Sequence, residues 1–167
     1  MFLTDDLTTQ SGTMALLPQI VQSVDIPVIA AGGIASARSV QAALSLGAAA
    51  VQCGTSYLRC TEATTSELHR SALKDPQQHQ HTAVTNVFTG RPARGMVNRL
   101  ISEIGPICAQ APAFPLASLA VTTLRAKAEA RGSSDFSPLW CGQNASGCDD
   151  ITAEAMTLRL AQGPESA

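Results

Sequence analysis

Two short apolar runs, residues 26–31 and 48–53, both end at glycine, and between them lies a segment about one helix long. This ordering constrains the fold of the 167-residue chain more than any other feature. Helix, strand, Gly-Gly turn, helix, strand and Gly-Thr turn follow one another with short loops, and such alternation predicts a parallel α/β sheet. The first run is β-branched at Ile26, Val28 and Ile29, which suits a parallel strand buried on both faces. Ahead of it Leu16, Leu17, Ile20, Val21 and Val24 recur at helical spacing, and Pro18 fits that helix only in its first turn, where an N–H is not needed. Ser36 is placed to cap the next helix, whose apolar stripe of Val40, Ala43 and Leu44 ends at Gly47.

Residues 1–12 are polar and read as a loop, and residues 67–73 continue as another helix. The stretch from Asp75 to His81 is polar and reads as an exposed loop, followed by the apolar segment 83–88 and the basic turn FTGRPARGMVNRL. Helical patterns return at 96–104 and at 116–131, where the alanine-rich LASLAVTTLRAKAEAR ends at Gly132. The tail carries FSPLWCGQ and a last helix over 151–161. No internal repeat or low-complexity tract interrupts this order.

The composition, 45% hydrophobic and 14% charged, is that of one globular domain with enough apolar side chains for a core. A net charge of -2 with scattered Lys and Arg gives no basic field for a nucleic-acid backbone. No apolar run approaches the ~20 residues that span a bilayer, and MFLTDDLTTQ has neither the basic start nor the apolar core of a signal peptide, so the expectation is a cytoplasmic protein. The five cysteines, at 53, 60, 108, 141 and 148, show no two-residue spacing and read as reduced, mostly buried thiols. His69, His79 and His81 have no companions that complete a ligand set, so no metal is assigned. Asp5-Asp6 and Asp149-Asp150 read as solvated loop charges rather than a catalytic pair.

The two glycine turns carry the functional signal. A helix N-terminus offers unpaired N–H groups and the positive end of a dipole to a phosphate, and glycine lets the backbone approach it. In parallel α/β folds ligands bind at the C-terminal ends of the strands, where Gly32-Gly33 and Gly54-Thr55 both fall. Thr55 can add a hydroxyl and Gln52 an amide. Each turn alone is equally well read as a simple strand-to-helix turn; together, one βα unit apart, they point to one bridging phosphate. The G-x-G-x-x-G, G-x-x-x-x-G-K-[ST] and G-x-S-x-G fingerprints are missing.

These residues resemble a known group. IPVIAAGGIASARSVQAALSLGAAAVQCGT looks like the seventh and eighth βα units of FMN-binding (β/α)8 TIM barrels. With GTMALLPQIV before it, FTGRPARGMVNRL after it and FSPLWCGQ near the end, the likeness narrows to the nitronate monooxygenase family, formerly 2-nitropropane dioxygenases, over residues 1–143. The resemblance implies the C-terminal part of a TIM barrel followed by C-terminal helices, with residues 144–167 as a helical tail. It further implies a flavoprotein monooxygenase that uses FMN to oxidise alkyl nitronates with O2 to a carbonyl compound and nitrite. Carried over by position, Gly33, Gln52, Cys53, Gly54 and Thr55 would meet the FMN phosphate, and Gly32 would shape the turn. Arg91, Arg94 and Arg99 would lie over the flavin or serve packing or subunit contacts, and Trp140 would wall the pocket or sit in the core.

Family members also carry a Gly-Gly-His-Arg-Gly type motif, with the histidine taken as the base, just ahead of the segment that begins here. No such motif is present and no other histidine stands in its place, so no catalytic residue is assigned. The expectation is an incomplete barrel with open edges and an exposed apolar sheet face, little turnover alone, and a need for a missing N-terminal half or a homo-oligomeric partner. The alternatives are a related flavin-dependent enoyl-acyl-carrier-protein or NAD(P)H-quinone reductase, and a non-catalytic phosphate-binding remnant.

Overall fold

The computed structural model describes Thr4 and residues 6–162. In chain order its elements are α1 (Thr13–Ser23), β1 (Ile29–Ala31), α2 (Ala37–Ser45), β2 (Ala50–Gln52), α3 (Glu67–Lys74), α4 (Pro76–His79), β3 (Thr82–Thr85), β4 (Ala93–Met96), α5 (Arg99–Ile104), α6 (Ala117–Glu129) and α7 (Ala153–Ala161), with 3-10 turns at Leu7–Thr9 and Thr55–Tyr57. They fall into two compact units. One joins Thr8–Thr65 to the chain from Gln143 onward; the other is built mainly from Ser66–Gly142.

The first unit contains the expected parallel pair. β1 and β2 run side by side in the register Ile29↔Ala50, Ala30↔Val51 and Ala31↔Gln52, with α2 as the crossover. Both strands are shorter than the apolar runs. Pro27 has no N–H to give a ladder, while Ala48 is held at the end of α2 by its bond to the Ala43 carbonyl. One further bond, from the Ala49 N–H to the Val28 carbonyl at 2.8 Å, extends the pairing backwards.

The expected burial of β1 on both faces is not what the fold gives. Ala30 is buried, whereas Ile29 is 61% exposed and Ile26, ahead of the strand, 72% exposed. On the covered side Leu17, Ala30, Ile34, Val40, Ala43, Ala48, Cys60, Met156 and Leu160 form one core. The last helix therefore does more than trail the chain: Met156 and Leu160 close the core over α2. Leu44, expected in the α2 stripe, is 39% exposed, and the buried stripe is Val40 and Ala43 alone.

Pro18 also departs from expectation. With Gly12 as the N-cap, α1 starts at Thr13 and Pro18 lies in its second turn. The Met14 carbonyl thereby loses its helical partner, and because Met14 is exposed, water can replace it.

The second unit holds an antiparallel hairpin that the alternation argument did not foresee. β3 pairs with β4 in the register Thr82↔Met96 to Thr85↔Ala93, so residues 93–96 of the segment read as a basic turn are strand. Trp140 bridges to Gly95 on the far side of β4 and meets Phe88 edge-on, with ring centroids 5.6 Å apart. The polar stretch near His79 is not a loop. The Asp75 carboxylate accepts from the Gln77 N–H at 2.9 Å and Pro76 occupies the first helical position, which together fix the single turn of α4. Of the loop expected over residues 1–12, residues 1–3 and 5 lie outside the described residues. Among the described residues no helix is long and apolar enough to cross a membrane.

Candidate phosphate-binding turns

The β1–β2 register places the two glycine turns next to each other, since Ala31 pairs with Gln52 and each turn begins within two residues of its strand. Gly32 and Gly33 have φ of +103° and +75°, two consecutive left-handed conformations that an L side chain rarely adopts. Their surroundings differ. A β-carbon on Gly32 would stand 3.2 Å from the Thr13 hydroxyl, which itself donates to the Ala31 carbonyl at 3.3 Å; one on Gly33 would meet nothing within 4 Å. Gly32 thus shapes the turn against α1, and Gly33 faces open space. Gly54 likewise has nothing within 4 Å of its virtual β-carbon.

The start of α2 is more occupied than its sequence suggests. The Ser36 hydroxyl accepts from the Ser39 N–H at 3.2 Å, while the Ser39 hydroxyl accepts from the N–H groups of Ala35 and Ser36 at 3.1 and 2.9 Å. This capping box consumes donors that a bare helix start would offer to an anion. The N–H groups of Ala37 and Arg38, as the first two helical residues, keep no intrahelical acceptor. Among the described residues the Gly33 N–H has no acceptor either.

On the β2 side Gln52 and Gly54 are exposed and Cys53 and Thr55 half-buried. Burial pushes the Cys53 thiol above its ordinary pKa, so it is present as the neutral thiol. Ser56, one residue further on, is buried and its hydroxyl has no partner among the described residues. The open glycines and the donors of the α2 start fit a phosphate group, with Thr55 half-buried beside them. They form an open surface turn. A cavity of about 360 Å³ runs instead between α1 and β1, along Leu16, Leu17, Ile20 and Ile29. A second, of about 230 Å³, lies behind β2 and includes Cys53 and Tyr57.

The segment 145–150, expected as part of a tail with solvated charges, touches the turns that follow both strands. Gly147 packs so tightly on the start of α2 that a β-carbon there would fall well inside contact distance of the Ala35 carbonyl oxygen. The adjacent Cys148 thiol donates to the Thr55 carbonyl at 3.2 Å. Asp149 and Asp150, expected as solvated charges, are paired: Asp150 with Arg59 at 2.6 Å, and Asp149 with Arg159. Only the glycine of NASGCDD hinted at a close approach.

In the other unit Arg94 and Arg99 have local partners. Arg94 donates to the Thr82 hydroxyl at 3.1 Å across the hairpin, and Arg99 pairs with Glu103 at 2.6 Å with its guanidinium 5.6 Å from the Phe136 ring centre. The Arg91 carbonyl accepts from the Thr89 hydroxyl at 3.0 Å. Trp140 packs with the Val87, Phe88, Leu100 and Ile101 core. Among the described residues no group of His, Cys, Asp and Glu is arranged to hold a metal ion.

The nitronate monooxygenase family model matches residues 4–162. The chain is 38% identical over 152 residues to the nitronate monooxygenase of Pseudomonas aeruginosa, covering 90% of this chain and 43% of that protein. It is 39% identical over 138 residues to a probable nitronate monooxygenase of Staphylococcus saprophyticus, covering 83% and 39% respectively. Among solved structures it superposes on nitroalkane oxidase from Streptomyces ansochromogenes with a TM-score of 0.81 at 39% identity, over 90% of this chain and 42% of the other. FabK from Thermotoga maritima follows at a TM-score of 0.66 and 26% identity, over 90% and 48%. The chain spans less than half the length of each of these relatives. With the family model matched across nearly all of its residues, the chain belongs to the nitronate monooxygenase family of oxidoreductases.

Proposed function

We propose that the chain forms the last two βα units of a (β/α)8 barrel that oxidises alkyl nitronates with O2 to a carbonyl compound and nitrite, and that its glycine turns hold the phosphate of FMN. The observation that carries this reading is the pairing of the Gly32-Gly33 and Gly54-Thr55 turns at the C-terminal ends of adjacent parallel strands. Family membership supports the chemistry. FMN, when bound, would supply the electron transfer that the side chains of this chain cannot.

The residues present would bind and orient. Gly33 and Gly54 leave room for the phosphate, the Ala37 and Arg38 N–H groups offer donors at the positive end of α2, and Gln52, Cys53 and Thr55 border it from β2. Gly32 keeps the first turn in its left-handed path.

The test is a fluorescence titration of the chain with FMN and with riboflavin, which lacks the phosphate. The expected result is a preference for FMN of about tenfold or more, the scale of a few charge-assisted hydrogen bonds. Equal affinities would remove the phosphate reading. The likeness to FabK favours one second reading, a related flavin-dependent reductase. NADH consumption without nitrite release would select it, and nitrite from a nitronate would select the first.

A further inference from the structure

The segment 145–150 meets the turn after β1 at Ala35 and the turn after β2 at Thr55, and among its attachments one side chain holds it at two points. The Arg59 guanidinium donates to the Cys148 carbonyl at 2.7 Å through Nη1, and to the Asp150 carboxylate at 2.6 Å through Nη2 and 3.3 Å through Nε. It is 15% exposed, with Asp150 at 45%. The fork therefore fixes the backbone at Cys148 on one side and the carboxylate on the other, a geometry that suits a planar guanidinium and not an ammonium.

What the fork holds is aligned with the site. Gly147 lies against the Ala35 carbonyl at the mouth of α2, and the Cys148 thiol reaches the Thr55 carbonyl at 3.2 Å. One short strap thus touches the turn after β1 and the turn after β2. Just beyond it the Thr61 N–H donates to the Ile151 carbonyl at 3.0 Å, and the Glu62 carboxylate accepts from the Ala153 N–H at 2.9 and 3.0 Å. The strap is tied at its far end as well.

We infer that Arg59 is a positioning residue for the phosphate site: by fastening the 145–150 strap against the turns after β1 and β2, it holds the two turns at the mutual spacing that one phosphate requires. This rests on the phosphate reading of the turns. Arg59 itself is committed to the Cys148 carbonyl and to Asp150, so its effect on a ligand passes through the strap.

The Arg59→Met variant keeps the apolar stem and removes the fork. Asp150 is exposed enough for water to solvate it, so the fold should survive. Asp150→Asn is the milder variant, leaving the bond to the Cys148 carbonyl in place. Arg59→Lys restores charge without the fork. For each, affinities for FMN and riboflavin are measured by fluorescence, with the circular dichroism melt as a check on folding.

The expected result is an FMN affinity about tenfold weaker in Arg59→Met, with riboflavin affinity unchanged within about twofold, the scale seen when supporting residues of a binding site are removed. Asp150→Asn and Arg59→Lys should fall between that and the parent chain. Equal losses for both flavins, or no loss for either, would overturn the inference. If Arg59→Met does not fold, Asp150→Asn decides by the same criterion. A parent chain that does not prefer FMN to riboflavin would overturn the phosphate reading itself, and the inference with it.

Discussion

The backbone of Gly90 runs so close to Pro112 that a β-carbon on Gly90 would stand 2.3 Å from the Pro112 carbonyl oxygen. The contact closes a loop-to-loop junction in the hairpin unit. Close by, the Asn86 side chain donates to the Cys108 carbonyl at 3.0 Å and accepts from the Cys108 N–H at 2.9 Å, and the Gly90 N–H donates to the Asn86 carbonyl at 2.8 Å. The glycine that opens the GRPARG stretch is thus required by packing and by a φ of +82°.

Gly90→Ala is therefore expected to destabilise the chain by about 2–4 kcal/mol, combining the left-handed backbone cost with displacement of a neighbouring carbonyl. Urea unfolding measures it. An unchanged midpoint would mean that the junction at Pro112 yields without cost.

The second prediction concerns α7. Met156 has no exposed surface and lies in the core with Leu17, Ala43 and Leu160, whereas Leu158 on the same helix is 59% exposed. Met156→Ala should cost about 2–5 kcal/mol, the range for emptying a buried site of that size. Leu158→Ala should stay within about 0.5 kcal/mol. Similar losses at the two positions in thermal melts would contradict the packing of α7 on α2.

What the sequence made legible follows from how local each signal is. The βαβ order, the Ser36 cap and the α2 stop at Gly47 all depend on neighbours within a few residues, and the structure contains them. The pairing of Asp150 was invisible because Arg59 lies 91 residues away. The hairpin was missed for another reason: β4 is Ala-Arg-Gly-Met, four residues with little β-propensity, set just after a Gly-Arg-Pro that announces a turn. Tertiary pairing with Thr82–Thr85 and the bridge to Trp140 override that preference. At the candidate site the glycines were legible by type and spacing, but the donors spent in the capping box were not, because Ser39 looks like any helical serine.

The third prediction follows from His69. Its Nε2 is buried without a partner among the described residues. Burial lowers its pKa below the ordinary 6.5, against a smaller opposing effect from a hydrogen bond to the Trp140 backbone. With the folded-state value depressed, the unfolded chain takes up the proton first as pH falls. The stability associated with neutral His69 is complete above about pH 6.5 and is lost as pH falls through the folded-state value. His69→Gln should flatten this part of the stability profile in urea titrations. An identical slope in both proteins would show that another group sets the acid limb.

The last prediction separates the site from the fold by comparing two glycines. Gly33 has φ of +75°, so Gly33→Ala should cost about 1–2 kcal/mol of stability whatever it does to binding. Gly54 has φ of -104° and ψ of -62°, which alanine adopts readily, and its virtual β-carbon meets nothing within 4 Å. Gly54→Ala should thus leave stability unchanged or raise it by up to about 1 kcal/mol through the unfolded state. Both substitutions put a methyl group into the space assigned to the phosphate, so both should weaken FMN while sparing riboflavin. The decisive variant is Gly54→Ala, because there a binding loss has no folding defect to explain it. A Gly54→Ala chain that holds FMN as tightly as the parent would remove Gly54 from the phosphate site and leave Gly33 and the α2 start to carry it alone.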